Sequence, residues 1–231
     1  MADRFHVTSE LTPGLLTLRG PEAHHLSVSR IRVGESVTLF RGDGWEYPAT
    51  VVEISRRDVT LDVTEGRLHS REAAHRVVAC VALPKGDRAQ FLVEKLTELG
   101  VAELIVLETV RTVVHPGEAK VEKLQRYVIE ASKQCGRNTL MSVRGPLRWE
   151  QALVEPTLPE SRLIAHPDTI AHSGGPTSLP SGAFAFAVGP EGGFTDAEVQ
   201  AAQAAGWLPI GLGPRILRIE TAALVLAAHL G

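Results

Sequence analysis

The sequence contains only two cysteines, Cys80 and Cys135, and no CxxC pair. It therefore offers neither a disulfide framework nor the cysteine spacing of a zinc site, and we expect no bound metal. Cys80 lies in the apolar run 77–83 and is predicted to be a core residue. Neither cysteine has the basic surroundings that favour a catalytic thiolate.

Long hydrophobic runs are also missing. Residues 1–6 include an acid and a base where a signal peptide needs an apolar stretch, and the apolar segment 224–228 is too short to span a bilayer. The composition, with 44% hydrophobic and 22% charged residues, is that of an ordinary soluble protein. We therefore expect a cytoplasmic protein with no membrane partner.

The strong positive charge of many nucleic-acid-binding proteins is absent, since the net charge is −3. Residues 151–231 hold only three Lys and Arg against seven Asp and Glu, whereas residues 71–150 hold thirteen against ten. Any contact with RNA must therefore come from local clusters rather than from one broad basic face.

Several common enzyme motifs are absent as well. Neither a GxxxxGK[ST] phosphate loop nor a GxSxG elbow occurs, which argues against P-loop and α/β-hydrolase proteins. Gly211 and Gly213 resemble the start of a dinucleotide fingerprint, but Ile216 replaces its third glycine. The 18 residues after Gly213 are too few to complete a βαβ unit, so an NAD site is not expected.

The residue patterns indicate two domains. Short strand patterns joined by polar turns predict a small β-rich domain over residues 1–70. A polar stretch, 66–75, reads as a linker. From residue 76 to residue 231 strands and helices alternate, which predicts an α/β domain with a mainly parallel sheet. The predicted strands of the first domain are 36–40, 46–54 and 59–63.

Hydrophobic periodicity places the elements of the second domain. Thr195 and Glu198 form a capping-box pattern before one predicted helix, and Gly206 follows that helix. Predicted strands are 76–83, 104–107, 162–165 and 183–188, and predicted helices are 87–99, 118–135, 196–205 and 220–230.

Two glycine-containing segments lie where a parallel sheet binds ligands, after a strand and before a helix. Gly189–Phe194 precedes the capped helix, and Gly211–Ile216 precedes the last helix. Glycines at such positions let backbone amides approach a ligand closely. Either segment alone is better explained as an ordinary turn.

Taken together and in order, Gly189–Glu198 and Leu212–Ala222 resemble the signature of the RsmE family, the bacterial 16S rRNA uridine-N3 methyltransferases of the SPOUT superfamily. Ser29, where the family usually has leucine, is a departure, as is Leu140-Met141 in place of a common proline. Further similar segments are Arg4-Phe5, His24–Arg30, Glu94–Val101 and Glu130–Arg137.

The resemblance implies a C-terminal SPOUT domain with a trefoil knot, a small N-terminal PUA-like β-barrel, and a homodimer that binds S-adenosyl-L-methionine. Its implied partner is 16S rRNA in the small ribosomal subunit. By position, the implied cofactor-binding residues are Ala165, His166, Gly189, Glu191, Gly192, Leu212, Gly213, Ile216 and Leu217.

Methylation at uridine N3 requires loss of the N3 proton, so the site needs a cation to stabilise the anion. Arg218 is the predicted cation, with Arg215 second, and Glu220 or Glu191 is the predicted proton acceptor. A structural Arg218–Glu220 salt bridge is the alternative interpretation. The predicted RNA-binding residues are Arg4, Arg30, Arg32, Lys85, Arg88 and Arg137.

Two adjacent histidines, His24 and His25, are expected in a turn or facing RNA rather than at a metal. Two other functions stay open from the sequence. One is a non-catalytic PUA-like ribosome-assembly factor, and the other is a SPOUT methyltransferase with a different RNA target.

Overall fold

A computed structural model describes residues 3–28, 31–115, 117–167 and 182–230. The contacts within the chain divide it into two units. The first consists of Met1–Glu72 and Ser132–Leu140, and the second of Ala73–Ala131 and Met141–Gly231. The first unit thus contains a short segment, Ser132–Leu140, that the sequence-based division assigns to the C-terminal domain.

The first unit is a mainly antiparallel sheet with one helix. Its elements are β1 (Asp3–His6), β2 (Gly14–Arg19), α1 (Gly20–Val28), β3 (Ser36–Phe40), β4 (Trp45–Ile54), β5 (Asp58–Val63) and β6 (Arg67–Leu68). The strand order is β1-β3-β4-β5-β2, with β6 paired to β4 and only β1 and β3 running parallel. The prediction of a small β-rich module is confirmed, although β1, β2, β6 and α1 were not predicted.

Side-chain alternation explains how this sheet forms a core. In β5, Val59, Leu61 and Val63 are buried, and the polar residues between them are more exposed. Helix α1 packs on β5 and buries Ala23 and Leu26. His24 and His25 lie on α1, so their expected position in a turn is wrong.

A buried carboxylate, that of Glu46 in β4, organises the polar interior of the first unit. Arg67 Nε donates to Glu46 Oε1 at 2.8 Å, and His69 Nδ1 lies 3.1 Å from the same oxygen. Arg4 Nη1 and Asn138 Nδ2 each donate to Glu46 Oε2 at 3.3 Å. Glu46 therefore joins residues from the start of the chain, from β6 and its flank, and from segment 132–140.

Segment 132–140 is held to the first unit by further hydrogen bonds. Arg137, only 3% exposed, donates from Nε to both carboxylate oxygens of Glu72 at 2.9 and 3.0 Å. The backbone amide of Leu140 donates to the carbonyl of Gly42 at 3.2 Å. These contacts explain why segment 132–140 belongs to the first unit although about 60 residues of sequence separate it from the rest of that unit.

The second unit is a fully parallel sheet with helices. Its order, β12-β10-β11-β7-β8-β9, confirms the predicted α/β fold with a parallel sheet. The elements are β7 (Val77–Val81), α2 (Arg88–Glu98), β8 (Glu103–Glu108), α3 (Glu118–Cys135), β9 (Ser142–Arg148), α4 (Trp149–Leu153), β10 (Ser161–Ala165), β11 (Phe184–Val188), α5 (Asp196–Ala204), β12 (Leu208–Ile210) and α6 (Ile219–Leu230). The last four residues of α3 belong to the first unit.

The local signals for these elements act as predicted in most cases. Every residue of β7 and β11 is buried, as expected for central parallel strands. The capping box of α5 is present, with Glu198 Oε2 accepting from the Thr195 amide at 2.7 Å. Asp87 occupies the N-cap position of α2, but its side chain makes no capping hydrogen bond.

Burial raises the pKa of the Cys80 thiol to about 12, so this cysteine stays protonated at neutral pH.

No helix in the described part of the chain is long and apolar enough to cross a membrane. Among the described residues there is also no cluster of three or more His, Cys, Asp or Glu side chains that could hold a metal.

Candidate active site

A pocket of about 470 Å³ opens at the carboxyl ends of three neighbouring parallel strands, β10, β11 and β12. Ligands bind at this edge in open parallel sheets because loops from adjacent strands converge there. The His166 amide donates to the Ile210 carbonyl at 3.0 Å, which holds the end of β10 beside the end of β12.

The structure brings the sequence-predicted cofactor residues together around this pocket. Its wall contains all nine of them, namely Ala165, His166, Gly189, Glu191, Gly192, Leu212, Gly213, Ile216 and Leu217. Arg215 and Arg218 also line the pocket, whereas Glu220 does not. Two segments that are separate glycine turns in the sequence therefore line one cavity together.

The loop after β11 needs glycine at its first position. A Cβ atom at Gly189 would lie 3.0 Å from Cδ2 of Phe194 and 3.2 Å from the Phe194 backbone nitrogen. Phe194 is buried and packs on Trp149 with ring centroids 4.8 Å apart, so it has little room to move. The absence of a side chain at Gly189 thus allows the loop to fold closely over Phe194.

Arg111 belongs to the pocket wall, although the sequence did not single it out. Its Nη1 donates to the Gly192 carbonyl at 2.7 Å, and the neighbouring Val110 amide donates to Glu198 Oε1 at 2.9 Å. The loop after β8 is therefore attached both to the glycine loop and to the start of α5. The signal for Arg111 was its position just beyond a predicted strand, at the edge where ligands bind.

Two arginines of the pocket wall are available for a ligand. Arg215 and Arg218 are exposed, and neither guanidinium has a hydrogen-bond or ion-pair partner among the residues that the structure describes. A guanidinium offers five N–H donors, suited to carbonyl, carboxylate or phosphate oxygens. The alternative interpretation of Arg218, a salt bridge with Glu220, is not observed.

Arg88, predicted to bind RNA, contacts both the glycine loop after β11 and the start of α6. Its Nη2 donates to Glu191 Oε1 at 3.0 Å, and its Nη1 lies 3.7 Å from Oε2 of Glu220. Glu220 is buried at the start of α6, and its Oε2 accepts no hydrogen bond. The placement of Glu220 favours a structural role over the predicted role of proton acceptor.

The other predicted RNA-binding residues fall into three groups. The side chains of Arg4 and Arg137 are buried against Glu46 and Glu72, so the structure assigns them structural roles, contrary to the expectation. Arg32 and Lys85 are exposed. Arg30 lies outside the described residues.

Comparison with known proteins defines the class of protein that carries this fold and pocket. A family model described as "RNA methyltransferase domain" matches residues 71–231, and one described as "RNA methyltransferase PUA domain" matches residues 18–64. The chain belongs to this RNA methyltransferase family.

Individual relatives narrow the match to one kind of RNA methyltransferase. The Ribosomal RNA small subunit methyltransferase E of Bacillus subtilis is 32% identical over 220 residues, which cover 90% of this chain and 86% of the relative. The Neisseria gonorrhoeae protein of the same name was solved bound to S-adenosyl methionine. It matches with a TM-score of 0.91 at 31% identity, covering 100% of this chain and 97% of that one.

A methyltransferase from Legionella pneumophila, solved in complex with the bound cofactor SAM, has a TM-score of 0.89 and 33% identity. The match covers 100% of this chain and 97% of that chain. The resemblance to the RsmE family is thereby confirmed, as is the combination of a PUA-like module with a methyltransferase domain.

Proposed function

We propose that the chain transfers a methyl group from S-adenosylmethionine to N3 of a uridine in the 16S rRNA of the small ribosomal subunit. The observation that carries this proposal is the pocket at the ends of β10, β11 and β12, where glycine-containing loops meet two arginines that have no partner among the described residues. Because small-subunit rRNA is made and assembled in the bacterial cytoplasm, the chain is placed there. The implied homodimer and trefoil knot remain predictions.

The pocket residues fit the proposed cofactor. Gly189 and Gly192 leave backbone groups of one loop open to a ligand, and Leu212, Ile216 and Leu217 offer apolar surface from the other. When bound, S-adenosylmethionine supplies an electrophilic methyl group on a sulfonium centre. The protein must therefore hold the uracil ring with N3 directed at that position and keep competing water away.

Arg218 is assigned to the uridine. Its cation placed beside O2 or O4 favours the N3 anion, which lowers the pKa of N3 and produces the nucleophile. Of the two predicted proton acceptors only Glu191 lines the pocket, so Glu191 is the proposed acceptor of the N3 proton. The ion pair with Arg88 keeps the Glu191 carboxylate in place at the pocket wall.

Primer extension on 16S rRNA tests the substrate. N3 methylation blocks Watson–Crick pairing and stops reverse transcriptase, so a strain that lacks the gene should lose one stop in small-subunit rRNA and regain it on complementation. An unchanged set of stops would contradict the proposed target. If calorimetry detects no binding of S-adenosylmethionine, the result would instead support the alternative function, that of a non-catalytic assembly factor.

Gly189→Ala should weaken S-adenosylmethionine binding roughly tenfold, because the added Cβ meets the immobile Phe194 and displaces the loop. Gly117→Ala is the matched control. Gly117 lies outside the pocket wall, and an added Cβ there would meet no described atom within 4 Å. Calorimetric Kd values for both variants check this, and equal losses would contradict the role given to Phe194.

Arg88→Gln should weaken cofactor binding about threefold to tenfold, because the glycine loop and the start of α6 lose their shared cation. The salt dependence of RNA binding should not change. Lys85→Gln, an exposed neighbour, should leave the cofactor Kd unaltered. If Arg88→Gln alters RNA binding and spares the cofactor, the sequence-based assignment of Arg88 to RNA is correct instead.

A further inference from the structure

A second pocket, of about 390 Å³, lies in the first unit between the start of α1 and the turn that connects β4 with β5. It is separate from the methyltransferase pocket in sequence, and its three arginines are not among the predicted RNA-binding residues. The residues that line it are Arg19, Gly20, Ala23, His24, Ser55, Arg56, Arg57 and Asp58.

The pocket carries an excess of positive charge. Arg19, Arg56 and Arg57 face a single lining carboxylate, Asp58, whose Oδ1 lies 3.7 Å from Arg19 Nε. Arg56 and Arg57 are exposed, and their guanidinium groups have no partner in the described part of the chain. The acid in the first turn of α1, Glu22, accepts hydrogen bonds from the amide and hydroxyl of Thr8.

The turn that presents the two arginines is held firmly. The Ser55 amide donates to the Asp58 carbonyl at 2.9 Å, and the Asp58 amide donates to Ser55 Oγ at 3.0 Å. Two-residue hairpin turns favour Asn-Gly or Asp-Gly, so the turn itself gives no reason for Arg56 and Arg57. Two adjacent arginines against local preference indicate a functional requirement.

Three other arginines of the first unit are already engaged by carboxylates. Arg4 and Arg67 contact Glu46, and Arg137 contacts Glu72, so these cations are neutralised inside the unit. The acidic chain requires a local cluster for any contact with RNA. The pocket supplies such a cluster, and all of its residues fall within the stretch, 18–64, that matches the RNA methyltransferase PUA domain.

We propose that this pocket binds a phosphate of the RNA backbone through Arg19, Arg56 and Arg57. The proposal rests on the proposed function, since it assigns binding of rRNA to this pocket and methyl transfer to the pocket at the ends of β10, β11 and β12. Guanidinium groups bind phosphate oxygens in a bidentate manner, and the positive end of α1 adds to the attraction. Such a contact gives affinity and orientation without reading sequence.

The test measures binding of the full-length protein to 16S rRNA transcribed in vitro, between about 50 and 200 mM salt. The double variant Arg56→Gln/Arg57→Gln should bind more weakly. Its slope of log K against log salt should be shallower by about 1 for each lost phosphate contact. The double variant with lysine at both positions should keep most of the slope, because lysine retains the charge.

Arg41→Gln is the matched control, since Arg41 is an exposed arginine beyond the opposite end of β4. The proposal is overturned if the glutamine double variant keeps the wild-type slope, or if Arg41→Gln loses as much. It is also overturned if binding to naked rRNA is unchanged and only binding to assembled subunits falls, because a ribosomal protein would then be the partner.

Two further measurements separate the possible causes of failure. The thermal unfolding midpoint and the S-adenosylmethionine Kd of the double variant should equal those of the wild type, because neither arginine packs in the core. Absence of methyl transfer by the wild type would contradict the proposed function alone. An unaltered salt slope in the double variant would contradict the phosphate site alone.

Discussion

Arg218→Ala should lower the rate of methyl transfer at least about a hundredfold and leave the Kd for S-adenosylmethionine nearly unchanged. The guanidinium lines the pocket, is exposed and has no partner in the described chain, so its removal strands no buried charge. The loss should therefore appear in kcat, where the uridine anion develops, rather than in stability or cofactor affinity.

Arg215→Ala is the control variant for this prediction. Arg215 lines the same pocket with the same exposure, so equal losses in both variants would mean that the pocket needs general positive charge. A loss for Arg218→Ala that is steeper at high pH than at low pH would contradict its assigned role. A cation that stabilises the N3 anion matters least at high pH, where the anion is already favoured.

Glu46→Gln should destabilise the protein by about 3 kcal/mol at pH 7. Burial alone would raise the pKa of Glu46, but hydrogen bonds from His69, Asn138, Arg67 and Arg4 outweigh it and lower the pKa from 4.5 to about 2. A carboxyl group with a lowered folded-state pKa stabilises the protein above its unfolded-state pKa. This contribution is lost as the pH falls from about 4.5 to about 2.

Denaturant unfolding at several pH values checks this prediction. The difference between wild type and Glu46→Gln should be largest at neutral pH and shrink as the pH falls from about 4.5 to about 2, because Glu46 is then protonated in the unfolded chain before it is protonated in the folded protein. Glu53→Gln, which alters an exposed residue of the same strand, should cause almost no change. A difference that persists undiminished at pH 2 would show that shape, rather than charge, determines the loss.

Features set by neighbours in the chain could be predicted. The capping box of Thr195 and Glu198 involves residues three positions apart, and the glycine segment around Gly189 follows a buried strand. The boundaries of α3 and β3 were predicted to the residue. Their signals, a 3.6-residue period and a short apolar run between turns, are contained within each segment.

Features set by distant partners could not be predicted. Arg4 and Arg137 look in the sequence like surface cations, yet they reach Glu46 and Glu72 across 42 and 65 positions. Arg88 finds Glu191 at a separation of 103. A sequence shows that an arginine is present but not which carboxylate lies opposite it. These three arginines therefore contact carboxylates of the protein where contacts with RNA were expected.

The participation of segment 132–140 in the first unit has a consequence for synthesis on the ribosome. When residue 72 emerges, Glu46 and Glu72 still lack Asn138 and Arg137, and Arg137 is translated 65 residues after Glu72. The N-terminal module then holds carboxylates without their final partners and cannot reach its native state, unlike domains that fold in order of synthesis. A fragment cut at residue 72 should be unstable for the same reason. The two units should therefore be expressed and engineered together.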